Sequence, residues 1–302
     1  MKKIFILIVV MSVLIGVGVT TYINSRSSSN QANNKGVTMH IVTSKDGTKI
    51  AYDKLGKGPA VILVGGALAT RSDHAELAKL LSPDFTVYNY DRRGRGDSGD
   101  TNPYAVEREI EDIEALISEA GGSAYVYGIS SGASLALEAT AALGDKVQKL
   151  AIYEPPYDES EGAAKEWKEF SFQLDELLAA DRRSEAVELL MKIVGASDVA
   201  IVRMKGSPAW QGMEALAPTI AYDTAILGEN RSVPVERAAK ITTETLVMDG
   251  DASLKTMPFM RPTAEKLANT IPNAQRHIIK GQGHDVSSKV LTPVLVEFFR
   301  SE

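Results

Sequence analysis

The sequence contains no cysteine. Disulfides, thiol nucleophiles, cysteine-based metal sites and a lipid-modified cysteine anchor are thereby excluded, so an exported form must rely on its own core. Histidine is nearly as scarce, with four in 302 residues, and chemistry that needs an imidazole has few places to find one. Basic charge is not in excess. Lys and Arg total 33 against 39 Asp and Glu, a formal charge of −6, which gives nucleic-acid binding no electrostatic support. Internal repeats at solenoid or propeller periods are also missing.

What is present begins with Lys2 and Lys3, followed by an apolar run from Ile4 to Val19 that extends to Ile23. A positive start and such a run read as an export signal. A cleaved signal has an apolar core of about 7–15 residues and a spanning helix needs about 20. Residues 1–23 therefore fit either a signal peptide or a membrane anchor, and no small-x-small cleavage site follows. The lysines on the inside put the bulk of the chain outside. The expectation is a protein at the extracellular face of the cell membrane, held by that segment if uncleaved, or a secreted one. Residues 24–36, rich in Ser and Asn, read as a flexible linker, and residues 37–302 as one catalytic-size domain.

From Met39 onward, short apolar runs alternate with helical stretches. Met39 to Thr43 and Lys49 to Asp53 flank Asp46-Gly47, a hairpin signal. Ala60 to Val64, Thr86 to Tyr90, Ala124 to Tyr127, Lys149 to Tyr153, Thr245 to Met248 and Arg276 to Ile279 are further strands. Most are unbroken apolar runs, as in a parallel sheet covered on both faces. Asp73 is placed to cap a helix through Leu81. Pro103 is placed to open one that stops at Gly121-Gly122. Ser131 to Leu143 and Thr263 to Thr270 are further helices, and a last one carries Val290, Val294 and Phe298. Strand–helix alternation of this kind implies a doubly wound α/β sheet. From about 157 to 236 only helical stretches appear, including Ala163 to Ala180 and Ser184 to Val194. That is far longer than a crossover requires, and it reads as an inserted helical lid.

Chemistry concentrates in four places. Gly128-Ile129-Ser130-Ser131-Gly132 follows an apolar strand and opens an alanine-rich helix, the context a G-x-S-x-G nucleophile elbow requires. The serine sits on a tight turn, and the free N–H groups of the helix start face developing negative charge. Gly281-Gln282-Gly283-His284-Asp285 follows the last strand and supplies a histidine on a loop. The other histidines are His40 and His277 in strand-like runs and His74 in an early helix, from where it could line the site. Gly65-Gly66-Ala67 follows the strand Ala60 to Val64. Its backbone, with Ser131, offers a pair of oxyanion donors, Ala67 and Ser131. The stretch from Asp91 to Ser98 holds three arginines, but its spacing does not match a phosphate-binding loop, and it reads as structural.

Together these segments resemble the α/β-hydrolase superfamily, over the chain from about Met39 to Phe299. Tyr90-Asp91-Arg92-Arg93-Gly94-Arg95-Gly96-Asp97-Ser98 is similar to that family's loop after its fourth strand, and the elbow and Gly-His loops match in order and spacing. The resemblance implies a mostly parallel eight-stranded sheet, a lid after strand six, and no metal or organic cofactor. It also implies a triad acid, usually after strand seven, as a glycine followed three residues later by aspartate. Here Gly250 leads to Ser253. Asp249 and Asp251 are close but out of register. The family's other position, after strand six, is occupied by Glu154. The favoured acid is therefore Glu154, with Asp251 or Asp249 as the alternative, or no acid at all.

The expected chemistry is hydrolysis of an ester or related small acyl substrate by Ser130 and His284 through a covalent acyl-enzyme. Trp210, Met213, Leu216 and Tyr222, in the second half of the insertion, are candidates either for an apolar substrate pocket or for the lid's own core. Two rivals stand beside this reading. One is a scaffold of the same fold that binds a ligand or partner without turnover. The other is a perhydrolase or carbon–carbon hydrolase using the same triad.

Overall fold

A computed structural model describes residues 38–301. The expected signal peptide or anchor (1–23) and linker (24–36) lie outside the described residues. Within them no helix is long and apolar enough to cross a membrane.

Eight strands form one sheet: β1 (Met39–Thr43), β2 (Lys49–Leu55), β3 (Ala60–Val64), β4 (Thr86–Tyr90), β5 (Ala124–Ile129), β6 (Val147–Tyr153), β7 (Glu244–Gly250) and β8 (Ala274–Ile279). Their order across the sheet is β1-β2-β4-β3-β5-β6-β7-β8. The β1–β2 hairpin turns at Gly47, whose φ of +90° suits glycine. β2 also runs antiparallel to β4, and every later pairing is parallel. All eight strands fall on the apolar runs expected of them.

The helices are α1 (Ala75–Leu81), α2 (Val106–Glu119), α3 (Ser131–Leu143), α4 (Ala163–Ala179), α5 (Arg183–Ile193), α6 (Asp198–Lys205), α7 (Pro208–Leu216), α8 (Ile220–Leu227), α9 (Val235–Ala238), α10 (Met260–Thr270) and α11 (Ser288–Arg300). Alternation along the central strands divides the core in two. Val61 and Leu63 of β3 join Leu77 and Leu81 of α1 and Leu291, Leu295 and Phe299 of α11 on one face. Ile62 and Val64 join Ile113, Leu116, Leu135 and Leu267, from α2, α3 and α10, on the other. Each such side chain, taken fully out of water, contributes about 1.5–3 kcal/mol. The six helices from α4 to α9 fill the long connection between β6 and β7, with Trp167, Phe170, Leu174, Trp210 and Met213 buried among them.

Three local expectations are corrected. Asp73 does not stand at the N-cap of α1: it closes a capping box with Thr70 on a short 3-10 turn, Arg71–His74, ahead of that helix. The Asp73 carboxylate accepts the Thr70 N–H at 2.8 Å. Pro103 does not open α2, which starts at Val106 after an extended Ala105; Tyr104, between them, stacks on Tyr222 with ring centroids 3.9 Å apart. The last helix buries Leu291, Leu295, Phe298 and Phe299, while Val290 stays 38% exposed. Of the stripe the pattern suggested, Phe298 is buried and Val294 packs against the same core, so only Val290 lies off it.

Candidate active site

β3 and β5 are neighbours, yet the chain leaves β3 for β4 on one side and β5 for β6 on the other. A crevice opens at such a reversal, beyond the strands' carboxyl ends. Ser130 stands there, directly after β5, with φ +57° and ψ −132°. An L-residue in this region is strained by about 1–3 kcal/mol. The flanking glycines are steric requirements. A Cβ on Gly128 would lie 2.4 Å from the Gly132 carbonyl oxygen, and one on Gly132 would lie 2.4 Å from both the Val64 and Gly65 oxygens. The Ser130 N–H donates to the Tyr153 carbonyl at 3.0 Å, which ties the elbow to the end of β6. Gly66 presses on the serine from β3, since a Cβ there would sit 3.0 Å from the Ser130 Cβ.

Glu154 comes next after β6. It is fully buried, with φ +46°. Its Oε2 lies 2.8 Å from Nδ1 of His284, and its Oε1 accepts the Gly250 N–H at 2.9 Å. A carboxylate facing Nδ1 puts the imidazole proton on that nitrogen and leaves Nε2 with its lone pair. The loop that carries His284 is held throughout. Tyr153 donates its phenol to the Gly283 carbonyl at 2.6 Å, and Ala252 N–H donates to the Gln282 carbonyl at 2.9 Å. The other two carboxylates face elsewhere. Asp249 is fully buried and accepts from Arg276 Nε at 2.9 Å and Nη2 at 3.0 Å. Asp251 accepts the Gly281 N–H at 2.6 Å. Ser253, in the place of the acid usual after strand seven, is buried and its hydroxyl has no partner.

The arginines of this loop pair with protein groups, although Arg95 Nε is buried without a partner. Arg93 is paired with Asp112, at 2.8 Å through both Nε and Nη2, and with Asp46 at 2.9 Å. Arg92 makes two bonds of 2.7 Å to Glu109, and Asp91 is paired with Arg71. Two contacts lead back to the glycine turn: Arg92 Nη1 donates to the Gly65 carbonyl at 3.2 Å and Arg95 Nη1 to the Gly66 carbonyl at 2.5 Å. Both arginines also bind Asp223 of α8. Sequence reasoning passed over Asp223. Its signal was there, as the sole charged side chain in the apolar octapeptide Ile220–Leu227.

The pocket candidates lie in different surroundings. His74 adjoins the glycine turn, its Nε2 about where a Gly65 side chain would meet it, at 3.1 Å from that Cβ. This nitrogen is buried without a partner, and burial holds the imidazole below its ordinary pKa. Trp210 is buried and donates its indole N–H to Ser184 and Glu214, each at 2.9 Å. Met213 is buried in the same cluster as Leu174 and Leu190, with Leu216 packed against it. Tyr222 stacks on Tyr104 and donates to Asp100 at 2.5 Å. Ala67 is half-buried beside Gly66, and Ser131 is buried at the start of α3. Among the described residues no three His, Asp or Glu side chains gather as around a metal ion.

This elbow, histidine loop and glycine turn coincide with a family pattern. Residues 61–289 match the model of the Alpha/beta hydrolase family. The chain belongs to that family. A solved alpha/beta hydrolase from Sphaerobacter thermophilus is 49% identical, covering 86% of this chain and all of its own, with a TM-score of 0.78. Among curated proteins, an uncharacterized hydrolase, YraK, of Bacillus subtilis is 33% identical over 113 residues, 36% of this chain and 42% of its own length. The N-formylmaleamate deformylase of Pseudomonas putida is 35% identical over 104 residues, 33% of this chain and 39% of its own. The chain thus spans about two fifths of the length of the curated relatives it matches.

Proposed function

We propose that this family member is a serine hydrolase that cleaves an ester or related small acyl substrate. The observation that carries the reading is the 2.8 Å pairing of the buried Glu154 carboxylate with Nδ1 of His284, at the sheet edge where Ser130 stands on its strained elbow. In this mechanism Nε2 of His284 takes the proton of the Ser130 hydroxyl as Oγ attacks the acyl carbon. The carbonyl oxygen becomes an anion held by the N–H groups of Ala67 and Ser131. The imidazolium, stabilised by Glu154, then protonates the leaving group. A water activated by His284 releases the acid and restores the serine. The relative named a deformylase supports extending the substrate class beyond simple esters to other small acyl groups. Helices α4 to α9 serve as the lid. The segment 1–23 carries the domain out of the cell or holds it at the extracellular face of the membrane.

The test is hydrolysis of p-nitrophenyl acetate, butyrate and octanoate by the wild type and by Ser130→Ala, with labelling by a fluorophosphonate probe in parallel. Turnover and labelling in the wild type, both lost in the variant, are the expected result. A folded wild type that neither turns over an ester nor takes the label overturns the reading.

A further inference from the structure

Asp223 is buried, with 4% of its surface exposed, yet four hydrogen bonds converge on it. Its Oδ1 accepts from the Ser131 hydroxyl at 2.8 Å, from Arg92 Nη1 at 2.8 Å and from Arg95 Nη2 at 2.9 Å. Its Oδ2 accepts from Arg95 Nη2 at 2.9 Å. Burial by itself would raise the carboxyl pKa, but Arg95 and Arg92 outweigh it and hold the group below its ordinary range, so it is charged. With Glu109 the cluster contains two cations and two anions and is neutral. It bridges the helical insertion, the loop after β4 and the start of α3.

The far ends of the two arginines reach the carbonyls of Gly65 and Gly66. A trans peptide points its C=O and N–H in opposite directions. The carbonyl of Gly66 and the N–H of Ala67 belong to one peptide unit. Drawing that carbonyl onto Arg95 therefore turns the Ala67 N–H the other way, on the strand end that presses against Ser130. The fourth bond holds Ser131, whose own N–H lies in the first turn of α3 and has no intrahelical partner. A buried ion cluster that only docked the insertion would do no better than an apolar contact of the same shape. This one ends on two consecutive peptide units of the glycine turn and on the hydroxyl of the residue after the serine.

Resting on the serine-hydrolase reading above, we propose that Asp223 is a positioning residue for the oxyanion site. It fixes the Ser131 N–H through the Ser131 side chain and the Ala67 N–H through Arg95, while Arg92 steadies the preceding peptide unit at the Gly65 carbonyl. Both donors are thus aligned by one carboxylate that the insertion supplies.

The decisive comparison uses the full chain as wild type, Asp223→Asn and Ser131→Ala. The measurements are p-nitrophenyl butyrate kinetics, thermal midpoint, and inhibition by an aliphatic trifluoromethyl ketone, whose serine adduct carries a negative oxygen. Asp223→Asn lowers kcat by about 10²-fold with KM within about threefold, and the inhibition constant for the ketone rises by a matching factor. Ser131→Ala leaves the ion cluster intact. It lowers kcat and ketone affinity by about fivefold in the folded enzyme, with a thermal midpoint lowered only by the loss of one hydrogen bond. Wild-type kcat in Ser131→Ala overturns the proposal. So does an Asp223→Asn enzyme that melts earlier but keeps its kcat and ketone affinity when folded. If Asp223→Asn does not fold, Ser131→Ala decides alone. A wild type without Ser130-dependent turnover is a separate failure, which removes the hydrolase reading and the proposal with it.

Discussion

Tyr153 donates its phenol to the Gly283 carbonyl at 2.6 Å, and the next residue, Glu154, meets the next residue, His284, at 2.8 Å. Two consecutive side chains at the end of β6 thus grip two consecutive residues of the histidine loop. The first bond sets the height of the loop, and the second sets the tilt of the ring.

Tyr153→Phe removes only the first grip and leaves the Gly283 carbonyl without its partner. An unmade buried bond of this kind costs about 1–3 kcal/mol. We expect a lower thermal midpoint and a kcat reduced about fivefold or more, with KM nearly unchanged. Steady-state kinetics beside a melting curve checks both. An unaltered kcat would mean that Glu154 orients the ring unaided.

The three carboxylates separate by their partners. Glu154→Gln replaces the acceptor facing Nδ1 with an amide that can turn its donor there, so kcat should fall by about 10³–10⁴-fold while the fold persists. Asp251→Asn, which loosens only the Gly281 N–H, should stay within about tenfold of wild type. Asp249→Ala removes two bonds from Arg276, which keeps Glu265 at 2.7 Å, and should cost about 1–3 kcal/mol of stability, with little change in kcat per folded molecule. Active-site titration with a fluorophosphonate, used to normalise rates, distinguishes the last two.

Gly132→Ala tests the elbow's sterics. Its Cβ would need to share space with two carbonyl oxygens at 2.4 Å, both of them backbone of β3 and its turn. Neither can move without parting β3 from α3. The expected result is a large drop in thermal midpoint or loss of soluble protein, measured by circular dichroism. A stable variant would show that the turn can open.

His74 predicts the pH response of stability. Burial lowers its pKa from the ordinary 6.5, so below about pH 6.5 the unfolded chain binds the proton that the native site resists. Stability is therefore fully present above that pH and is lost as pH falls through the lowered native value. Urea midpoints between about pH 5 and 7.5 should decline toward acid in the wild type and less steeply in His74→Phe. Equal slopes would remove His74 from the account.

Much of this molecule was legible along the chain because the signals are local. An unbroken apolar run makes a buried parallel strand wherever it falls. The spacing of Gly128, Ser130 and Gly132 carries its own steric reason. A histidine just after the final parallel strand reaches the carboxyl edge of the sheet by topology. What tertiary structure decided are contacts between residues far apart in sequence. Glu154 lies 130 residues from His284, and the sequence favoured it without excluding Asp249 or Asp251, which lie much closer along the chain. The pairing of β6 with β7 sets Glu154 beside Gly250 and the ring, and the pairing of β7 with β8 sets Asp249 beside Arg276. Asp223, 92 residues from Ser131, reads in sequence as an odd charge on an apolar helix. Its meaning appears when the insertion folds back and buries it, because a carboxylate out of water must find cations and donors, and here they flank the serine.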